Sequence, residues 1–264
     1  MGVSAEDVAK LVVEKLRPHL PRLKEEWHRS KPVKHVVVDG LLPDDLLRDV
    51  VQELPSPETM RVTDSIRERK RTSARPDTFG PTCRAAIDGL HAPAVLRAFS
   101  EISSIDKLTG DGTYYAGGIS YMNRGDFLNP HIDNSGHPSM LGYRRLNALY
   151  YVSPDWTLEN GGNLELWTAD MDERVEVVSS FNRLVLMNTN RKSLHSVNPV
   201  AVDRGRWCLS NYYYTRESPD GRDYFHITSF RGRPEQPLRD LYCRLEGKIG
   251  SALIKVLPGL APRG

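Results

Sequence analysis

Four residues on three separate segments could share one site: His131 and Asp133 in NPHIDN, His195 in KSLHSVNPV, and Arg206 in DRGRWCLSNYYYT. Two imidazoles and one carboxylate make the facial set that holds a non-haem Fe(II) and leaves coordination positions open. An arginine beyond the second histidine suits a dicarboxylate co-substrate, because its planar fork gives two parallel charge-assisted hydrogen bonds. The chemistry implied is oxygenation with iron, 2-oxoglutarate and O₂.

Each residue taken singly is weak evidence, since most histidines are surface or satisfied core residues. The spacing adds to it. Side chains alternate along a strand, so His131 and Asp133 project to one face and can share a metal. A third ligand must then come from another strand. His195 follows the apolar run FNRLVLMN and precedes the strand-like RWCLSNYYY. His137 is its rival, but it lies in the turn-rich NSGHPSMLG, which reads as a loop. Arg204 competes with Arg206, and alternation puts both on the same face, so periodicity does not choose between them.

The succession HIDN, RRLNALYYVSPDW, ENGGNLELW, FNRLVLMN, LHSVNPV and GRWCLSNYYY resembles the prolyl-4-hydroxylase-like branch of the Fe(II)/2-oxoglutarate oxygenases, especially its bacterial members. The resemblance spans roughly residues 113–215 and is looser over the N-terminal third. It implies an α+β, mainly β chain built on a double-stranded β-helix, a jelly-roll of cupin-like form, with iron at one open end. Carried over by position, it makes His131, Asp133 and His195 the iron ligands and the catalytic set. Arg206, from the Gly-Arg pair before the final apolar strand, becomes the partner of the distal 2-oxoglutarate carboxylate. Tyr151 takes the place of a tyrosine whose hydroxyl meets that carboxylate, and Tyr121 that of another tyrosine lining the pocket. The implied co-substrates are 2-oxoglutarate and O₂, with ascorbate as a stimulant. Asp133 speaks against halogenation, where the family has a small residue in place of the carboxylate, and for hydroxylation with release of succinate and CO₂.

Alternation refines the pocket. If Tyr151 faces the cofactor, then Arg145, Asn147 and Leu149 share its face. Leu164 and Leu166 fall together in GGNLELW, and Arg206, Cys208, Ser210 and Tyr212 together in the last strand. Leu149 and Leu164 are therefore expected as apolar walls around an anionic co-substrate. Gly161-Gly162 reads as a turn or bulge rather than a phosphate cradle.

Substrate contacts are expected outside the triad. RVTDSIRERKRTSARPDTFGPT is the most charged and turn-rich stretch, and it reads either as a solvated loop or as a lid that recognises an acidic substrate. Arg69 and Arg71 are its candidates. Asn134, Arg144 and Arg145, beside NSGHPSMLGYRR, are the others.

The elements that must position these residues are read from local pattern. SAEDVAKLVVEKL and PDDLLRDVVQEL predict helices, VKHVVVDG a strand, and AAIDGLHAPAVLRAFSEISSI one or two helices divided near Pro93. PEQPLRDLYCRLEGKIGSALIKVL predicts a C-terminal amphipathic helix packed on the sheet. The expected organisation is a single domain over 1–264. Within it, 1–112 is helical support with a lid, 113–215 the core, and 216–264 a C-terminal helical segment.

At 264 residues the chain suits one β-rich enzyme domain. A net charge of +2 gives no global pull toward nucleic acid or membrane. No apolar run approaches the ~20 residues needed to span a bilayer. Three cysteines, Cys83, Cys208 and Cys243, fit neither a zinc nor a disulfide framework, and the N-terminus lacks a secretory pattern, so a cytoplasmic location is expected. The favoured substrate is an amino acid or small biosynthetic intermediate. Hydroxylation of prolyl or other residues in a protein is the first alternative. A nucleic-acid demethylase is disfavoured by charge, and a non-enzymatic cupin-like metal-binding protein would have no need of Arg206.

Overall fold

The computed structural model describes residues 2–115, 117–136, 142–219 and 221–256, the last ten by backbone alone. The N-terminal part forms α1 (Ala5–Leu16), α2 (Leu20–Arg29), β1 (His35–Asp39), α3 (Asp44–Gln52), β2 (Arg61–Asp64), β3 (Glu68–Ser73), α4 (Pro81–Gly89) and α5 (Pro93–Ser103). After β4 (Thr109–Gly110) come β5 (Gly118–Met122), β6 (Phe127–Ile132), β7 (Tyr143–Tyr151), β8 (Leu164–Trp167), β9 (Arg174–Val177), β10 (Arg183–Asn188), β11 (His195–Val197) and β12 (Arg206–Thr215). β13 (Ser229–Phe230) and α6 (Pro237–Val256) close the described chain.

The helices start where the local chemistry sets them. Ser4 caps α1, accepting from the Asp7 amide while the Asp7 carboxylate accepts from the Ser4 amide, a reciprocal capping box. Pro93 opens α5, splitting the predicted helical stretch in two as its missing N–H requires.

The strands run antiparallel in the order β1-β10-β7-β12-β5-β3-β6-β11-β8-β9. β3 spans the junction: Arg71–Ser73 pair with β5, and Glu68–Arg69 pair with β6. The ladder thus folds into a larger sheet ending at β5 and a smaller one of β6, β11, β8 and β9. This is the double-stranded β-helix arrangement.

Alternation assigns the faces. Leu146, Ala148 and Tyr150 of β7, with Leu184, Leu186, Leu209 and Tyr213, pack outward against α1, α2 and α5 through Val12, Leu16, Leu23 and Phe99. Tyr151, Leu164, Leu166, Val185, Met187 and Cys208 form a second core cluster. Each such fully buried side chain contributes about 1.5–3 kcal/mol, so the helices hold the larger sheet as a rigid backing.

Two expectations differ from the structure. The charged 61–73 stretch is not a loop but the β2–β3 hairpin, with β3 integral to the sheet. Its strand positions are polar because one face meets an open cavity, so no hydrophobic alternation marks it. Nor are the described residues of 216–236 helical: α6 begins only at Pro237 and meets the sheet at β13. Cys243 of α6 is buried, while Leu238, Leu241, Tyr242 and Leu245 are exposed, so the helix is packed along one flank only. Among the described residues no helix is long and apolar enough to cross a membrane.

A buried ion cluster ties the C-terminal segment to the smaller sheet. Glu165 Oε2 accepts from Arg233 Nη1 and from Ser196 Oγ, both at 2.6 Å, and Arg174 Nε lies 3.2 Å from Oε1. Arg233 Nη2 also donates to the Val197 carbonyl at 3.0 Å. Glu165→Ala leaves the buried Arg233 charge uncompensated, and a loss of about 3–5 kcal/mol is expected. Denaturant unfolding measures it; a loss under about 1 kcal/mol would contradict the clamp.

Candidate metal and co-substrate site

β6 delivers His131 near its end, with Asp133 two residues on. β11 pairs antiparallel with β6 so that His195 stands directly across from His131. The two imidazole centroids are 4.2 Å apart. Asp133 Oδ1 lies 3.5 Å from His131 Nε2, and Oδ2 lies 3.8 Å from His195 Nε2. One ligand atom from each residue falls within 4.8 Å of the others.

The imidazoles are oriented by the backbone. His131 Nδ1 is 3.0 Å from the Asn129 carbonyl, and His195 Nδ1 is 2.9 Å from the Ser193 carbonyl. A carbonyl only accepts, so Nδ1 carries the proton and Nε2 turns its lone pair toward Asp133. Burial, with His131 alongside, pushes the His195 pKa down to about 4, which keeps it neutral at neutral pH. Burial alone would raise the Asp133 carboxyl, but Arg144 and the two imidazoles outweigh it and hold the group well below the usual carboxylate range. Asp133 Oδ2 is buried with no hydrogen-bond partner. Two imidazole nitrogens and an ionised carboxylate oxygen fit a divalent metal.

The triad lies in the wall of a cavity of about 840 Å³. Arg206, at the start of β12, is buried at another part of this wall. Its Nε donates to the Gly162 carbonyl at 2.9 Å and its Nη2 to Ser179 Oγ at 3.3 Å. Gly162 has a φ of +64°, as the turn reading of Gly161-Gly162 requires. Arg206 Nη1 has only the Met122 sulfur, at 3.9 Å. The guanidinium rests over the Tyr151 ring at 4.8 Å, and the buried Tyr151 hydroxyl has no hydrogen-bond partner. A fixed fork with donors to spare beside an orphan hydroxyl fits a carboxylate. Leu149, Leu164 and Cys208 form apolar wall nearby.

The structure brings most of the predicted residues together. Arg206, Cys208, Ser210 and Tyr212 share the cavity face, as do Asn147 and Leu149; Asn134 lines it too. Tyr151 itself lies behind Arg206 rather than on the wall. Arg204 points elsewhere, donating to the Asp155 carbonyl at 3.0 Å over Trp156.

Several placements are corrected. Tyr121 does not line the pocket. Met122 is the β5 residue paired with Arg206, so strand alternation turns Met122 inward and packs Tyr121 against Trp207 at 4.6 Å on the opposite face. Arg69 and Arg71 also face away from the cavity. Arg69 Nε binds Asp126 at 2.8 Å, and Arg71 lies over Tyr121 at 5.9 Å. Their neighbours Glu68, Lys70 and Thr72 point in. Arg144 reaches the wall and Arg145 does not. A register shift between Tyr213 and Tyr214 inserts an extra residue in β7, so alternation from Tyr151 misassigns that end. His137 lies outside the described residues.

Sequence reasoning missed the cover. Arg216, Asp223, Tyr224, Phe225 and Phe230 line the cavity from the segment before α6. Phe230 stacks on His131 with centroids 5.3 Å apart, and Tyr143 donates to Asp223 at 2.6 Å. The aromatic density of DYFHITSF was the available signal.

The family profile described as the 2OG-Fe(II) oxygenase superfamily matches residues 117–214, which hold all three triad residues and Arg206. Over that stretch the chain is similar to this superfamily. Solved structures similar to this chain include a prolyl-4-hydroxylase from Pseudomonas putida, 17% identical, covering 75% of this chain and 99% of that one, with a TM-score of 0.50. A prolyl 4-hydroxylase from Phytophthora capsici is 18% identical, covering 94% and 78% respectively, with a TM-score of 0.53. HygX from Streptomyces hygroscopicus, solved with nickel and 2-oxoglutarate, is 14% identical, covering 75% and 93%, with a TM-score of 0.50. At these identities the likeness is one of fold. No curated protein matches the sequence.

Proposed function

We propose that this chain is an oxygenase that hydroxylates an unactivated C–H of an amino acid or small biosynthetic intermediate, converting 2-oxoglutarate to succinate and CO₂. The observation that carries the reading is the single cavity with the His131, Asp133, His195 cluster and the buried Arg206 fork in its wall. In this reading His131, Asp133 and His195 hold Fe(II), which supplies the activation of O₂ when bound. Arg206 and the Tyr151 hydroxyl hold the distal carboxylate, with Leu149 and Leu164 excluding water. The aromatic cover favours a small substrate over a folded protein, because Phe230 and the Tyr143–Asp223 contact stand at the cavity wall. The prolyl-residue hydroxylase alternative would need an extended peptide to pass them. Ascorbate stimulation, a cytoplasmic location and a single-domain organisation belong to the same proposal.

The test is a panel of free amino acids and short peptides, scored for succinate and for product heavier by one oxygen atom. Succinate that rises with a free small molecule supports the reading; a response to peptides alone would replace it with the residue-hydroxylase alternative.

The strand faces also predict which charges matter. Lys70→Glu reverses an inward charge and is expected to raise the substrate KM by about tenfold, in line with a lost contact of roughly 1.4 kcal/mol. Arg69→Glu and Arg71→Glu, on the outer face, are expected to change it less than about twofold. Equal effects at all three positions would show that only the long-range field is felt.

A further inference from the structure

The cavity holds a second buried arginine that the co-substrate reading does not use. Arg144 is 3% exposed, yet it lines the cavity. Its Nη1 lies 3.4 Å from Asp133 Oδ2. Its Nε and Nη2 are buried and have no hydrogen-bond partner. Those two atoms form one edge of the guanidinium fork, the edge that takes a carboxylate with two parallel bonds. The fork is held flat by Tyr212, whose ring centroid is 3.9 Å from the Arg144 guanidinium carbon. Leaving such donors desolvated and empty costs several kcal/mol, so the site is built for an occupant.

That occupant is not the distal carboxylate of the co-substrate. Arg206 holds that carboxylate in the reading above, and it lies six residues from Tyr212 along β12. The charge balance agrees. Asp133 is the only carboxylate paired with Arg144 among the described residues, and a divalent metal on the triad would claim it. Arg144 then needs another anion. Beside it, Asn147 pairs with Tyr212 across the ladder and presents a buried amide oxygen with no hydrogen-bond partner. A donor fork and an acceptor thus face one end of the cavity together.

We propose that Arg144 is the substrate anchor: the substrate is a small carboxylic acid whose carboxylate sits on the Nε–Nη2 edge. Asn147 receives a donor group elsewhere on the same molecule. An α-amino acid has both features. The proposal rests on the oxygenase reading above and adds the substrate's chemical class. It also explains why the anchor adjoins Asp133, since the carbon oxidised then lies a few bonds from the bound carboxylate.

The experiment is a calorimetric titration of the common L-amino acids, and of their carboxamides, into protein holding Mn(II) and 2-oxoglutarate. At least one acid is expected to bind, and its amide at least about tenfold more weakly. Arg144→Gln is expected to weaken that acid by about 30-fold or more, as loss of a desolvated charge partner does. Arg144→Lys restores only part, because an ammonium cannot form the paired bonds. Arg145→Gln, off the cavity wall, leaves acid binding unchanged. Mn(II) and 2-oxoglutarate affinities of the Arg144 variants stay within a few-fold of the parent.

Equal binding of acid and amide would overturn the proposal, as would binding of no acid to protein that binds 2-oxoglutarate. So would a loss of Mn(II) or 2-oxoglutarate affinity matching the loss of the acid, which would make Arg144 a positioning residue for Asp133. Failure of the parent protein to bind 2-oxoglutarate would instead strike the oxygenase reading beneath it, and the titration reports that separately.

Discussion

His195→Ala is expected to lower Fe(II) affinity by more than about 100-fold while leaving a folded protein. The bound for comparison is the roughly 10–100-fold typical when only a group behind a metal ligand is lost. Removing one of three ligands takes away both a bond and the facial geometry. The fold has little reason to fail: β11 is held on both sides by β6 and β8, and its pairing uses backbone atoms. Equilibrium dialysis with metal quantitation measures the affinity, and thermal unfolding checks the fold. His131→Ala and Asp133→Ala should behave alike. Near-parent metal affinity in His195→Ala would overturn this ligand set and restore His137 as the third ligand.

Much of this site was legible because strands alternate. His131 and Asp133 two apart, and the face Arg206, Cys208, Ser210, Tyr212, follow from period two and the apolar runs beside them. The helices of the N-terminal part announced themselves through caps, prolines and apolar spacing. Legibility stopped where alternation is interrupted or carries no hydrophobic mark. The bulge opposite Tyr213 and Tyr214 exchanged Arg144 for Arg145 on the cavity wall, and nothing in RRLNALYYV signals an inserted residue. The family resemblance puts Tyr121 in the pocket, but a likeness of position does not fix which side of β5 a side chain takes; its neighbour Met122 faces Arg206 instead. β3 has charged residues at 68–71, so its strand character lay in pairing partners far along the chain. The cover at 216–230 has little regular structure, and local periodicity does not report tertiary position.

Arg206→Ala is the second large effect. Loss of one partner of a desolvated charge pair costs about 2–5 kcal/mol, or roughly 30-fold to several-thousand-fold in affinity. The cost should fall on 2-oxoglutarate, because the Arg206 fork is buried, fixed by Gly162 and Ser179, and stacked on Tyr151. Arg204→Ala is expected to change the affinity less than about threefold, since Arg204 serves the Asp155 carbonyl at the surface. Titrating 2-oxoglutarate into both variants decides between them. A larger loss for Arg204 would mean that the wrong arginine carries the co-substrate.

Fe(II) on His131, Asp133 and His195 is expected to turn over 2-oxoglutarate in this cavity. The most direct measurement is succinate formed from 2-oxoglutarate under air, with Fe(II) supplied or withheld, by the parent protein and by His131→Ala. Succinate is expected only from the parent with Fe(II), and the His131→Ala variant is expected at the level of the protein-free control. Succinate formed equally by the two proteins, or by the parent without metal, would contradict it.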